Sequence, residues 1–516
     1  MGDMVKSPQR ARVLLLNPPT AVVSNEALLN LAYLAAALRK AGHEVRIVDA
    51  TAPYRRYTAG DIERIVLEFR PHFIGVTLTI TYIAHTYEYL KGLRKMGVPI
   101  VAGGPHANGL PEEVLENGAD VVAIGEGEKT IVELAEHFAE GRDLTSIDGL
   151  CHKDAGGKFR YSKPRQLIPD LDAIPFPDFG DFPIKNYTGS DDVNSNPIFW
   201  SVFTSRGCPF NCTFCSSHNV FGRVARMRSA RNIFEEIKGL VDRFGVEKIT
   251  FQDDEILCSK RRFLELCDLI SGSRIKLKMS IRTRIDSIDR DILIRAKEIG
   301  LTRISFGIES WNDDTLKKIN KMYDVATIHN KFRSIEDAAF PHISFNNIVG
   351  FPWETEEHLK KNLDEISQIP RSIAFFSPVC TPLPYPRTAL YDEYHEKFGF
   401  TGWWLDPAKH PKAMKDAEKP FFMLFAFMSP SLYRPDIFWN YSTRMKRAIE
   451  RFSWGVFKLS ARRHYGPADF LLVLLLCKAS RFLWKVSPRL ECILFRPFFN
   501  GKIRNLRQKF LFTIKN

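Results

Sequence analysis

Five short runs, apolar at half or more of their positions, recur through residues 12–140: Val13–Asn17, Glu44–Asp49, Phe73–Thr79, Ile100–Gly103 and Asp120–Gly125. A strand with one wet face alternates apolar and polar side chains. A nearly continuous apolar run belongs to a strand covered on both faces. Helix-like segments lie between the runs: Asn25–Ala41, Ala59–Phe69 and Ile80–Lys95, with Gly42 and Gly97 as stops. Five βα units of this kind predict a doubly wound parallel sheet, a Rossmann-like domain over residues 1–140. Ligands of such sheets bind beyond the carboxyl ends of the strands. Those ends read Asn17-Pro18-Pro19, Thr77-Leu78-Thr79, Gly103-Gly104-Pro105-His106 and Gly125-Glu126-Gly127-Glu128. Their glycines let a bulky ligand approach the backbone.

Residues 141–196 lose this rhythm, with Pro164, Pro169, Pro175, Pro177 and Pro183 as punctuation. They read as a linker or wrapping segment. From Ile198 the alternation resumes, with strand patterns at Ile198–Ser205, Lys248–Gln252, Lys276–Arg282, Arg303–Ile308, His342–Val349 and Ser372–Pro378. Helix patterns such as Asn232–Phe244, Arg261–Ile270, Asp289–Ile299 and Glu356–Ile369 separate them. Six repeats over residues 197–399 predict a partial parallel (β/α)6 barrel, with chemistry at the carboxyl ends of its strands.

Nine cysteines in 516 residues are too sparse for a secreted disulfide framework. Three of them, Cys208, Cys212 and Cys215, stand as C-x3-C-x2-C directly after the first barrel strand. Three thiolates on one loop can hold three irons of a [4Fe–4S] cube and leave the fourth open. Zinc with His218 as fourth ligand is the competing reading, although this is not a common structural zinc spacing. Buried structural cysteines are a third. Cys258 and Cys267 read as core residues, and Cys380, after the sixth strand, as either a site or a core thiol. Cys151, Cys477 and Cys492 show no ligand spacing.

The motif Cys208-Pro-Phe-Asn-Cys212-Thr-Phe214-Cys215 resembles the signature of the radical S-adenosylmethionine superfamily, with Phe214 as its aromatic residue. In that family S-adenosylmethionine chelates the open iron, and its reductive cleavage gives a 5′-deoxyadenosyl radical that abstracts hydrogen from an unactivated carbon. The order of strand-end segments is also similar. Gln252-Asp253-Asp254-Glu255 stands where the family binds the amino group, and its acidic form resembles the cobalamin-dependent subgroup. Ser280, Arg282 and Arg284 end the third strand, and Ser305-Phe-Gly307-Ile-Glu309-Ser310 the fourth. Gly350-Phe-Pro352-Trp-Glu354-Thr355 and Pro384-Tyr-Pro386 resemble later family segments. The resemblance implies S-adenosylmethionine contacts at Phe214, Asp253, Ser280, Arg282 and Glu309. For Glu354 and Thr355 helix capping competes with a ligand role. For Arg282 and Arg284 a surface ion pair competes.

The N-terminal domain resembles the cobalamin-binding domain of the methyltransferase and cyclase subgroup. That resemblance implies cobalamin contacts at Asn17, Thr77, Gly103, Gly104, Gly125 and Glu126. The Asp-x-His-x-x-Gly loop of many cobalamin proteins is absent, since the chain reads Asp49-Ala-Thr51-Ala-Pro53-Tyr54 after the second strand. His106 reads as a loop-stabilising imidazole. No catalytic side chain is singled out.

Net charge is +13, but residues 441–516 hold 17 Lys and Arg against 3 Asp and Glu. The body is neutral and residues 400–516 form an aromatic, basic extension, with Trp403, Trp404, Phe421, Phe422, Phe425 and Phe427 at its start. Phe470–Cys477 is far shorter than the ~20 apolar residues of a membrane span. Two readings of 441–516 stand: a segment contacting an anionic membrane interface, or a helical subdomain with a solvated basic face. No nucleic-acid module is evident. The apolar run Val13–Leu16 is too short for a signal-peptide core, and Lys6 breaks the myristoylation pattern. The chain therefore reads as cytoplasmic, with the inner membrane face as the alternative place. Together these features predict a cobalamin-dependent C-methyltransferase acting on a hydrophobic small molecule and fed by an electron donor. A cyclase or oxidase is the first alternative and a non-catalytic metal-binding protein the second.

Overall fold

The computed structural model describes residues 10–20, 27–52, 55, 57–81, 83–141, 143–182, 187, 199–406 and 436–487. The helix start at Asn25, the strand start at Ile198, the stretch around Phe421 and the tail beyond 487, with Cys492, lie outside them. The described parts of 1–209, 217–246 and 402–410 form one compact unit; those of 210–216, 247–401 and 411–516 form another.

The first unit is built on a sheet of strands β1 (Arg12–Asn17), β2 (Glu44–Asp49), β3 (Phe73–Thr77), β4 (Ile100–Gly103), β5 (Val121–Ala123), β6 (Leu150–Lys153) and β7 (Phe159–Tyr161), in the order β2-β1-β3-β4-β5-β6-β7. The first five are parallel, and the central positions of β1, β3 and β4 are buried, as the apolar runs require. β6 and β7 run antiparallel and come from the segment read as a linker. Its prolines fall after Tyr161, so nothing in residues 150–161 forbids a ladder. β3 stops at Thr77 rather than Thr79 because the Leu78 carbonyl turns to accept from the His106 amide at 3.1 Å. The unit also holds β8 (Phe199–Val202) and a short antiparallel pair, β9 (Ser205–Arg206) with β10 (Arg226–Met227).

In the second unit β11 (Lys248–Phe251), β12 (Lys278–Thr283), β13 (Leu301–Glu309) and β14 (Ile343–Ile348) are parallel, each added to the edge of the one before. That is the growth pattern of an unclosed βα barrel. The last strand is broken. β15 (Phe375–Phe376) and β16 (Val379–Cys380) both pair with β14, and the gap falls at Ser377-Pro378, where Pro378 has no N–H to give. Unlike the first sheet, this one is two-faced. Ile249, Phe251, Met279, Ile281, Ile304, Phe306, Ile343 and Phe345 are buried on one side. The other carries Thr250, Ser280 and Arg303 in one cross-strand row and Arg282, Ser305 and Ser344 in the next.

Trp311 centres the apolar side. It is fully buried, within 5.5–5.6 Å of the rings of His329, Phe332 and Phe345, and its indole N–H donates to Asn347 Oδ1 at 3.2 Å. Beyond the sheet, helices Thr443–His464 and Pro467–Val486 confirm a helical extension. No helix among the described residues is long and apolar enough to cross a membrane. Replacing Trp311 by Ala should lower unfolding free energy by roughly 3–5 kcal/mol. A denaturant midpoint within error of the native one would remove Trp311 from its central place.

Candidate functional site

In the first unit the order β2-β1-β3 makes β1 and β3 the topological switch point, where chain connections leave in opposite directions and open a crevice. Thr77 ends β3, and Gly103-Gly104 ends β4 beside it. Gly104 has φ +94°, and a Cβ there would come within 2.8 Å of the Leu78 carbonyl and 2.9 Å of Thr77 Oγ1. Gly104 therefore lets the backbone after β4 pack directly against the end of β3, where a side chain would not fit. Asn108, which the sequence reading missed, ties the next loop in. Its Nδ2 donates to the Gly104 carbonyl at 2.9 Å, and its Oδ1 accepts from the Gly125 amide. Thr77, Gly103, Gly104 and Gly125 thus form one connected rim. Asn17 ends the adjacent strand, with its Nδ2 donating to Asp49 and Thr51 at 2.9 and 2.8 Å.

Glu126 is placed differently from the expectation. It is buried, accepts from Arg206 at 2.8 Å on one oxygen, and from Arg226 and the Ile168 amide, both at 2.7 Å, on the other. Burial pushes its pKa up, but the hydrogen bonds from Arg226 and Arg206 outweigh that and hold it below the usual carboxylate range. Both oxygens are engaged by protein, so Glu126 is a clamp and is withdrawn as a cobalamin contact. His106 does hold its loop: Nε2 lies 2.8 Å from the Tyr87 hydroxyl and 3.1 Å from Glu113, which also accepts from Trp404.

The clamp leads into the cysteine loop. Arg206 pairs with Glu126 and Glu128. Gly207 follows at φ +83°, where a Cβ would fall 2.5 Å from the Val224 carbonyl, and Cys208 comes next. In the second unit the rest of the loop is laced to residues 319–320. Thr213 N–H donates to Ile319 O at 3.2 Å, Asn320 Nδ2 to Asn211 O at 2.9 Å, and the Cys212 thiol to Asn320 O at 3.9 Å. All three cysteines are half-buried thiols. Beside Cys212 two buried polar atoms, Arg284 Nη1 and Thr213 Oγ1, have no hydrogen-bond partner among the described residues. Half-buried thiols next to orphaned donors fit an anionic sulfur-rich group. Among the described residues no three His, Cys, Asp or Glu side chains converge on one point; a cube takes one thiolate per iron.

The polar face of the second sheet holds the other expected residues. Ser280 Oγ lies 2.7 Å from Thr250 Oγ1, and Arg282 is exposed. Asp253 is buried at the end of β11. Its neighbour Glu255 is structural, accepting from Thr283 and from the Leu257 and Arg284 amides. Glu309 ends β13 at φ +70°, a conformation rare outside glycine that marks stored strain. Its carboxyl is buried, which raises its pKa against the pull of Lys321. Lys321 Nζ lies 3.7 Å from Glu309 and 6.0 Å from the Phe214 ring centroid, so one unforeseen cation joins two of the expected contacts. Arg284 is buried rather than a surface ion pair, although it does pair with Asp286. The Cys380 thiol donates to Asn347 O, and burial pushes its pKa up to about 12.

The capping reading holds for Thr355, while Glu354 is a buried acceptor that ties down the loop before the helix. Thr355 caps helix Glu356–Ser367, and Glu354 accepts from the Gly350 and Phe351 amides and the Thr315 hydroxyl.

Residues 22–135 match the B12 binding domain family, and residues 202–366 match the Radical SAM superfamily. An uncharacterized methyltransferase of Pyrococcus horikoshii is 30% identical over 456 residues, 85% of this chain and 97% of that one. The chain belongs to the B12-binding radical S-adenosylmethionine family. It is a cobalamin-dependent radical S-adenosylmethionine enzyme. The anaerobic magnesium-protoporphyrin IX monomethyl ester cyclase of Cereibacter sphaeroides is also 30% identical, over 411 residues, 75% of this chain and 64% of that one. Among solved structures, the methyltransferase TsrM from Kitasatospora setae, with cobalamin and a [4Fe–4S] cluster bound, shares the fold at TM-score 0.64 and 20% identity, over 76% of this chain and 78% of that one.

Burial raises the Glu354 pKa from its ordinary 4.5 to about 7, against the hydrogen bonds it accepts. An acid raised by folding stabilises the fold below its unfolded pKa and loses that contribution as pH climbs through its folded one. Native stability should therefore fall between pH 5 and pH 8, and Glu354→Gln should flatten that fall. Urea midpoints at the two pH values check it, and equal slopes in both proteins would refute the assignment.

Proposed function

We propose that the enzyme transfers a methyl group to an unactivated carbon of a hydrophobic substrate, a lipid or specialised metabolite. The relative matched along 97% of its own length is named as an uncharacterized methyltransferase, and this carries the reading over ring closure. Ring closure or oxidation is the second reading, favoured by the cyclase. When bound, a [4Fe–4S] cluster with S-adenosylmethionine supplies one-electron hydrogen abstraction, and cobalamin supplies the methyl group.

The chain's own part is to hold, orient and shield. Cys208, Cys212 and Cys215 serve as the three thiolate ligands. Ser280 and Arg282 offer a hydroxyl and a cation on the polar sheet face for ribose and carboxylate, and Asp253 an anion for the amino group. The Phe214 ring lies 6.5 Å from that of Phe351. Glu309, held by Lys321, is fixed rather than free to rotate, so an acceptor at the end of β13 keeps one position. Thr77, Gly103, Gly104 and Gly125 cradle cobalamin, with Asn17 at the edge of the same crevice.

Alanine at any one of the three cysteines should abolish both iron–sulfur assembly and 5′-deoxyadenosine formation after anaerobic reconstitution; an active variant would overturn the ligand set. Mass comparison of lipid and metabolite extracts with and without the gene decides the reaction. Loss of a species with accumulation of one lighter by a CH2 unit supports methyl transfer. A precursor differing only in hydrogens supports ring closure or oxidation instead.

The extension favours an anionic lipid surface as the place of work. Helix Pro467–Val486 exposes Leu471, Leu475, Phe482 and Val486 along one stripe, with Leu472 beside it, while Val473, Cys477 and Ser480 are buried on the other side. Lys478 is exposed amid the stripe, and residues 441–516 are strongly basic. Apolar side chains with flanking cations suit the headgroup boundary. Replacing Leu471, Leu475 and Phe482 by Ser should reduce co-sedimentation with phosphatidylserine-containing vesicles and leave folding intact; undiminished sedimentation would reject the lipid surface.

A further inference from the structure

Arg284 is a confined cation near the cysteine loop. Only 7% of its side chain is exposed. Its guanidinium stands 3.7 Å from the centroid of Phe210 and 5.0 Å from that of Tyr323, so two aromatic rings fix its plane. Nε and Nη2 donate to Asp286 at 2.9 and 3.0 Å, and Nη2 also reaches the Lys321 carbonyl. Nη1 is buried and has no partner among the described residues. A planar group stacked and tied on two nitrogens cannot swing the third toward water.

The surroundings of Arg284 are those of Cys212. Phe210 lies two residues before that thiol. The carbonyl of Lys321 holds Arg284, and the preceding carbonyl, of Asn320, accepts from Cys212. Burial lowers the Arg284 pKa, but Asp286, Tyr323 and Cys212 together outweigh it and hold the guanidinium above its ordinary value. The second orphaned donor, Thr213 Oγ1, is the next residue along the loop. One carboxylate, Asp286, pairs with the guanidinium, while the nearby Lys321 ammonium faces Glu309.

We infer that Arg284 is a positioning residue that sets the electron affinity of an iron–sulfur cluster held through Cys212, by directing Nη1 and a permanent positive charge at its sulfur atoms. The inference rests on the cluster ligation proposed above. Charge near the cluster and hydrogen bonds to its sulfurs are the protein's main controls over reduction potential. One-electron reduction adds a negative charge, and a fixed cation in a dry site favours the more negative state. Arg284 therefore makes the cluster easier to reduce. The guanidinium keeps its charge at every working pH, so this bias does not titrate.

The test is a potentiometric titration of the full chain, reconstituted anaerobically with iron and sulfide and followed by electron paramagnetic resonance. Arg284→Gln should reduce the reduced-to-oxidised ratio about tenfold at the native midpoint, a shift of about 59 mV to more negative potential for one electron. Arg284→Lys should restore most of it. An unmoved midpoint in Arg284→Gln, or equal shifts in the two variants, would overturn the inference. Should Arg284→Gln not retain a full cluster, Asp286→Asn decides. Removing the competing carboxylate leaves the cation to the cluster and should raise the midpoint, and an unmoved value overturns the inference as well. A native chain that takes up no iron and sulfide would instead overturn the ligand set, which keeps the two failures apart.

Discussion

The buried ion cluster of Glu126, Glu128, Arg206 and Arg226 is the constraint on which the first unit depends. Four charges sit where water is scarce, and each carboxylate is met by at least one guanidinium. Such a group is stable only when complete. Removing one partner strands a buried charge at a cost of about 3–5 kcal/mol, whereas the intact set gives little net stability. Its value is positional. Glu126 and Glu128 follow the last parallel strand of the B12-binding sheet, and Arg206 stands two residues before Cys208. The loop that opens the cysteine motif is thus fixed by charge pairing to the carboxyl end of the first sheet. Gly207 then turns the chain in a conformation and a space that a side chain would not fit.

The two sheets show how the same βα grammar serves different tasks. The first is buried on both faces, so its ligand has access only at the strand ends, where the switch point opens. The second is apolar on one face and polar on the other, so a ligand can lie along it and meet hydroxyls and guanidinium groups from β11, β12 and β13 in register. Alternation in Lys278–Thr283 already signals this, since Ser280 and Arg282 share a face while Met279, Ile281 and Thr283 are buried opposite. A strand read by its period therefore tells not only that it is a strand but from which side it is used.

Most of the fold was legible because it is written at short range. Apolar runs, helix stops and the cysteine spacing each fit within about ten residues. What escaped was written at long range. Glu126 reads identically whether it faces a ligand or an arginine 80 residues later, and only the fold reveals Arg206. Asn108 and Lys321 belong to no motif, and Arg284 stands in a strand-end set that gives no sign of its burial; the roles of all three depend on partners that folding brings beside them. The break in the last strand was legible in principle, since Pro378 announces it. The antiparallel pair Leu150–Lys153 and Phe159–Tyr161 was hidden by the prolines that follow it.

Strain marks the same region from another direction. Glu309, Asn320 and Met322 all hold positive φ without being glycine, and all lie within fourteen residues of one another in the second unit. Each such residue costs about 1–3 kcal/mol, tolerated only where the surroundings overdetermine it. Here they do. Asn320 gives both its side chain and its carbonyl to the cysteine loop, the Lys321 carbonyl holds Arg284, and the Lys321 ammonium restrains Glu309. A relaxed loop at 319–322 could satisfy some of these partners but not all. The strain is the consequence of making one short segment hold the cysteine loop, a buried cation and a buried carboxylate together.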